Sequence, residues 1–435
     1  MTAENPGAAG PARQSTALPA PVVVVPTRNR ADLAEGAIAS VLEWRTAPVR
    51  ILVSDNSTIP EERERLAGYC AAARDDRLLY VRPPEPMPMP PHWQWALERA
   101  LELEASHYIY LTDRMLFKPG GLAELLDIGA RCPEAVVAYN HDMVDDYADP
   151  VRLHLHQWSG RLLEVASADL LDLCSRSIFG NYIPRMLNCM VPRVVLERIA
   201  ARFSTVFDSI APDFCFAFRF AATNESFVYY DRSILTHRAL DRSNGAAYSR
   251  GVESADSTNF GAELGQVHRH SATPVPELRS ITNAILQEYC QVAAEVGRFP
   301  AVDRDLYLEA IAREVPQLQN PELRAWMEKA LIRAGWRPPT KEGPIAVARH
   351  FGRRVARRAG PRIFGAAMSA PLWSLVARSK LPVPAPGVCS FPSAAEALDF
   401  AERYPRRPVP EPVELRPLLE SPGTRPASPS DNGHV

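Results

Sequence analysis

The chain has 435 residues, 46% of them apolar, and a formal net charge of -2. That length exceeds one ordinary domain and suits a main unit of about 250 residues with an appendage. The near balance of charge offers no basic field, so no nucleic-acid partner is expected.

Seven cysteines, at 70, 132, 174, 189, 215, 290 and 389, form no CxxC pair, which argues against a zinc site or a disulfide framework. A reducing, cytoplasmic setting fits this usage. The chain does not open with a basic start followed by an apolar stretch, and it has no run of 18 apolar residues, so neither secretion nor membrane spanning is expected.

Residues 1–20, rich in Pro, Ala, Gly and Ser, read as a disordered tail. Val22-Val23-Val24-Val25, closed by Pro26, reads as a strand buried on both faces of a parallel sheet, followed by the turn Thr27-Arg28-Asn29-Arg30. A helix carrying Ala37, Ile38, Val41 and Leu42 leads to a second strand, Val49 to Val53, which ends at Ser54-Asp55-Asn56-Ser57. The alternation continues with a helix over Glu61 to Ala73, a strand over Arg77 to Val81, a helix over Trp93 to Leu103 and a strand over Tyr108 to Leu111 that runs into Thr112-Asp113. Such alternation predicts an α/β fold with a doubly wound, mainly parallel sheet. Ligands of these sheets bind beyond the carboxyl ends of the strands, so the loops at 26–30, 54–57 and 112–115 should converge on one crevice.

From Val275 to Ala334 the periodicity is mainly helical, and beyond it the chain turns Pro- and Arg-rich. The division predicted is a main domain over 21–270, a helical, partly basic C-terminal region over 271–404 and a disordered tail over 405–435. Gly343 to Ala395 holds no acidic residue but eight basic ones, five of them from Arg349 to Arg358 among apolar positions. Two readings of 345–380 are open: an amphipathic surface helix that touches anionic lipid, or a helix packed on the main domain with its arginines in solvent.

The strand ending in Pro-Thr-Arg-Asn-Arg and the later Ser-Asp-Asn-Ser resemble the start of a family 2 glycosyltransferase. The likeness continues through Arg77-Leu78-Leu79-Tyr80, Pro86-Met87-Pro88-Met89, His92-Trp93-Gln94-Trp95-Ala96-Leu97, Thr112-Asp113-Arg114-Met115 and Pro119 to Leu122. It ends with Ala211-Pro212-Asp213-Phe214 and the segment His237 to Gly245, and so covers roughly 20–250. This resemblance implies a bacterial enzyme of GT-A fold, with a nucleotide-diphosphate sugar as donor and a hydroxyl of a glycan or lipid-linked acceptor as the group modified, as in polysaccharide biosynthesis. It also implies inversion at the sugar, and work in the cytoplasm or at the inner face of the membrane.

By the same resemblance Asp55 and Asn56 serve the base or ribose, Thr27, Arg28, Asn29 and Arg30 contact the nucleotide, and Arg242, Ser243 and Asn244 close over the pyrophosphate. Asp213 is the candidate base that takes the acceptor hydroxyl's proton. Each has a plainer reading as well: an Asx-turn at Asp55, a solvated loop at 27–30, a helix cap at Asp213. Of Trp93 and Trp95, two apart on a helix, one is expected in the core; the other either packs there too or walls the sugar site.

Family members carry two or three carboxylates after the fourth strand to hold Mg or Mn, whereas this chain keeps Asp113 and follows it with Arg114 and Met115. A lone carboxylate beside an arginine is a poor hard-cation site. Three outcomes stand open: Arg114 acts as a built-in cation for the diphosphate; Asp113, the diphosphate and His237 hold a weakly bound ion; or the chain is a catalytically impaired relative that binds sugar or nucleotide, or scaffolds.

Overall fold

The computed structural model describes residues 19–45, 48–156, 162–239, 244–252, 271–338, 388–403 and 416–417. Its first half is the expected repeat. Strands β1 (Val22–Thr27), β2 (Arg50–Asp55), β3 (Leu78–Val81) and β4 (His107–Tyr110) lie parallel in the order β4-β1-β2-β3. They are linked by α1 (Ala31–Leu42), α2 (Pro60–Ala73) and α3 (Met89–Leu101).

The β-branched run of β1 explains its central place. Successive side chains of a strand point to opposite faces, so Val22 and Val24 enter one apolar cluster while Val23 and Val25 enter the other, all four fully buried. Tyr108 and Tyr110 of β4 join the first cluster, and Ile109 joins the second.

The second half is less regular. β5 (Met115–Phe117), α4 (Gly121–Arg131), β6 (Val137–Asp145), β7 (Val151–His154), β8 (Leu162–Ala166) and α5 (Ser167–Ser175) precede β9 (Cys189–Pro192), which inserts antiparallel between β4 and β6. After α6 (Arg193–Phe203) and α7 (Pro212–Thr223), the long β10 (Ser226–Arg238) pairs parallel with β6 and antiparallel with β5 and β8. Its register against β6 shifts between Tyr230 and Leu235, a bulged stretch just before His237. Gly121 lets α4 approach β10 closely, because a Cβ there would sit 2.3 Å from the carbonyl oxygen of Ile234.

A short helix, α8 (Asn244–Arg250), is followed by α9 (Ile281–Val296), α10 (Arg304–Glu314) and α11 (Pro321–Arg333), the helical C-terminal portion that the periodicity predicts. Leu286, Tyr289, Tyr307 and Ile311 share one apolar cluster with β1, β4 and α7, so these helices form a wall of the main core. The chain then returns to the sheet. β11 (Val388–Phe391) pairs antiparallel with β7, α12 (Ala394–Arg403) covers that corner, and β12 (Arg416–Pro417) pairs with β8. The central sheet and helical portion thus make the α/β class predicted, with antiparallel strands added at β5 and β7–β10 that local patterning did not show. Among the described residues no helix is long and apolar enough to cross a membrane. Residues 1–18, most of 405–435 and the basic stretch 345–380 lie outside the described residues.

Candidate functional site

Parallel pairing places Thr27 at the end of β1 directly opposite Asp55 at the end of β2. Thr27 then reaches the next strand, donating its hydroxyl to Asp113 Oδ2 at 3.0 Å, and Arg30 Nε lies 3.3 Å from the same oxygen. Asp113 is 3% exposed, so this buried carboxylate is held by one hydroxyl and one guanidinium. The three loops expected to converge do so.

Within those loops the roles divide. Asp55 is fully buried; its Oδ1 accepts from the Ser57 N–H at 2.8 Å, and its Oδ2 accepts from the Tyr80 hydroxyl at 2.7 Å with Arg82 Nε at 3.8 Å. The Asx-turn is therefore present, and Tyr80 and Arg82 bring the end of β3 to the same carboxylate. Asn29 adopts a left-handed φ of 54°, and its Oδ1 accepts from the N–H groups of Thr58 and Ile59 at 2.8 and 3.0 Å, fastening the approach to α2. Asn56 exchanges two hydrogen bonds with the backbone of Met87 at 2.7 and 3.0 Å, and Arg28 also donates to Met87 O, at 3.5 Å. Arg28, Asn29 and Asn56 thus shape the loops, whereas Thr27 and Arg30 reach Asp113.

Arg114 is the hinge between this end and the next. Burial pulls its pKa down to about 10, against the stabilising charges of Asp113 and Asp213. It also ties to β10: Arg238 N–H donates to Arg114 O at 2.9 Å, and Arg114 Nη1 donates to Arg238 O at 3.4 Å.

Asp213 sits in the first turn of α7 behind Pro212, where the peptide N–H groups favour a negative charge. Ala211 occupies the cap position, so Asp213 is not the cap. Burial raises the Asp213 carboxyl above its ordinary value, countered by Arg185, the N–H groups of Phe214 and Asp213, and Arg114. Arg185 Nη1 lies 3.9 Å from Asp213 Oδ2. Asp113 and Asp213 thus flank one guanidinium, Arg114, and Thr27 joins that pair to Asp55.

His237 emerges on β10 beside His141 of β6, their ring centroids 5.8 Å apart. Burial, Arg114, His141 and Arg185 all push the His237 imidazole well below its ordinary value, so it is neutral. The donors present do not suit a hard divalent cation. One oxygen of Asp113 already faces Thr27 and Arg30, cations surround His237, and no three His, Cys, Asp or Glu side chains among the described residues converge to hold a metal.

Trp93 packs in the core against Tyr110 and Phe207, at 5.5 and 5.7 Å between centroids. Trp95 packs at the edge of the same cluster under Arg99. Arg242 and Ser243 lie outside the described residues; Asn244 begins α8, and its side chain is not described.

Three residues were not picked out from sequence: Arg185, His141 and Glu288. His141 had a visible signal, since Asn140-His141-Asp142 is a polar triplet in the middle of a largely buried strand. Arg185 and Glu288 had none, because their significance depends on what packs around them.

No family model matches the chain, and no curated protein sequence matches it. Among solved structures, S. aureus TarS aligns with a TM-score of 0.40 at 10% identity over 72% of this chain and 52% of that one. S. aureus TarS 1-349 aligns with a TM-score of 0.41 at 11% identity, and its complex with UDP-GlcNAc with 0.40 at 12%; both alignments cover 72% of this chain and 88% of theirs. The chain thus spans about half the length of the longer TarS chain.

Proposed function

We propose that this chain is a glycosyltransferase that moves a sugar from a nucleotide-diphosphate donor to a hydroxyl of a glycan or lipid-linked acceptor, with inversion and without a tightly held Mg or Mn ion. One observation carries this reading: Asp55, Thr27, Asp113 and Arg114 follow one another beyond the carboxyl ends of the strands, with Asp213 at the start of α7 next to Arg114.

In this reaction the acceptor oxygen forms the new bond to the sugar's anomeric carbon as the bond to the diphosphate oxygen breaks. Asp213 takes the acceptor's proton; burial raises its pKa and strengthens it as a base, an effect that the nearby guanidinium groups oppose. Arg114, fixed between two carboxylates, supplies the positive charge the leaving diphosphate needs. Asp55, held by Tyr80 and the Ser57 N–H, fixes the strand ends against which the base or ribose is placed.

Asp213→Asn should lower transfer by at least about a hundredfold, the scale of a positioned general base, while donor affinity stays within about twofold of wild type. Loss of donor binding on that substitution would refute the role assigned. A second reading, a catalytically impaired relative that only binds, draws on the arginine pairing of Asp113; intact donor binding with no turnover on any acceptor would favour it.

A further inference from the structure

A guanidinium carries five N–H donors in a fixed fork, and those taken out of water ordinarily find acceptors. Arg185, with its side chain 20% exposed, makes no side-chain hydrogen bond among the described residues. It faces Asp213 across 3.9 Å, too long for a hydrogen bond, stacks 5.4 Å from the centroid of the Phe214 ring, and keeps a buried Nε with no hydrogen-bond partner among the described residues.

Two imidazoles, 5.8 Å apart between ring centroids, lie within reach of the Arg185 charge. His141 is 5% exposed, and its Nδ1 has no hydrogen-bond partner among the described residues. The buried Nε2 of the neighbouring His237 also lacks one there. The charge of Arg185 reaches both rings and, with burial, keeps both neutral.

The backbone presenting Arg185 is clamped in place. Asn188 Oδ1 accepts the Arg185 N–H at 3.1 Å, while its amide nitrogen donates to the carbonyls of Asn181 at 2.9 Å and Tyr139 at 3.2 Å. Asn181 in turn donates to Asn140 Oδ1 at 2.8 Å, on the residue preceding His141. Clamping of this kind removes in advance the ordering cost of ligand binding. Three guanidinium groups, Arg30, Arg114 and Arg185, here meet two carboxylates, Asp113 and Asp213, which leaves one positive charge over within this group. A cluster with a net positive charge and unpartnered side-chain nitrogens suits an oxyanion.

We propose that Arg185, with His141 and His237, forms the subsite for the sugar-bearing phosphate of the donor, so that the diphosphate is gripped between two arginines, Arg114 and Arg185. The identity of this anion rests on the donor class proposed above; the existence of an anion site does not.

Calorimetric titration of the full-length protein with inorganic pyrophosphate in the presence of a chelator separates the two. Wild type should bind, Arg185→Gln should bind about ten- to a hundredfold more weakly, as expected for lost charge-assisted hydrogen bonds, and Arg185→Lys should fall between. Thermal melting checks that each variant folds, and if Arg185→Gln does not, Arg185→Lys carries the comparison. Absence of pyrophosphate binding to wild type, or equal binding by the folded variants, overturns the subsite. With whichever of UDP, GDP or dTDP binds, Arg185→Gln should weaken the diphosphate and spare the matching monophosphate; equal losses for both overturn the assignment to the sugar-bearing phosphate. If pyrophosphate binds through Arg185 but no nucleotide binds, the anion site stands and the nucleotide donor falls.

Discussion

Glu288 of α9 is 1% exposed, and its Oε1 accepts from the Ser209 hydroxyl at 2.6 Å and from the Ala211 N–H at 3.2 Å, on the loop that leads into Asp213. Burial, with smaller contributions from Asp208 and Asp213, raises its pKa from 4.5 to about 8, against the lowering effect of those two hydrogen bonds. The folded state therefore holds a proton that the unfolded chain gives up. Below pH 4.5 both states are protonated and Glu288 costs nothing; as pH rises towards 8 the unfolded state is increasingly favoured.

At about 1.4 kcal/mol per pH unit, the cost at pH 7 is on the order of 3 kcal/mol. Glu288→Gln keeps the volume and the accepting oxygen but cannot ionise. The variant should lie within about 1 kcal/mol of wild type in urea unfolding near pH 5 and exceed it by about 4 kcal/mol at pH 7.5. A stability difference that does not change between those two pH values would refute the protonated, buried state of Glu288.

Two further outcomes follow from the same structure. Lys118 and Asp142 form an ion pair at 1% exposure each, and Asp142 Oδ1 also accepts the His156 N–H at 2.7 Å; Lys118→Met should cost about 3–5 kcal/mol in urea unfolding by stranding the carboxylate, and a loss below about 1 kcal/mol would contradict that. Arg114→Asp removes the built-in cation and adds oxygen ligands beside Asp113, so its donor binding and turnover should become dependent on manganese, measured with and without chelator; a metal response unchanged from wild type would count against the role of Arg114.

The part of the fold legible in the sequence is the part whose signal is local. Four valines in a row can satisfy only a strand buried on both faces, and the apolar periods of α1 to α3 follow from their own residues. The strand tips were legible for the same reason: a polar run such as Ser54-Asp55-Asn56-Ser57 after a buried strand has to face the crevice. What local pattern cannot carry is long-range pairing. β9 inserts between β4 and β6, and residues 388–391 return to β7 across more than two hundred positions, with no periodic trace of either partner.

The site shows the same division. Asp55, Asp113 and Asp213 stand out because carboxylates at strand ends and helix starts are conspicuous, whereas Arg185 sits in Asn-Tyr-Ile-Pro-Arg, which reads as an ordinary loop until Asn188 and Asn181 are seen to clamp it. Glu288 reads as a solvent-facing helix position, and only the packing of α9 against the loop before α7 makes it a buried acid.

Calorimetry of the purified protein with UDP-, GDP- and dTDP-sugars, in chelator and again in manganese, bears most directly on the two-arginine diphosphate site. One donor should bind in chelator with an affinity within about threefold of that in manganese, as expected where fixed guanidinium groups stand in for the ion. Silence towards every donor, or binding that appears only with the metal, would contradict it.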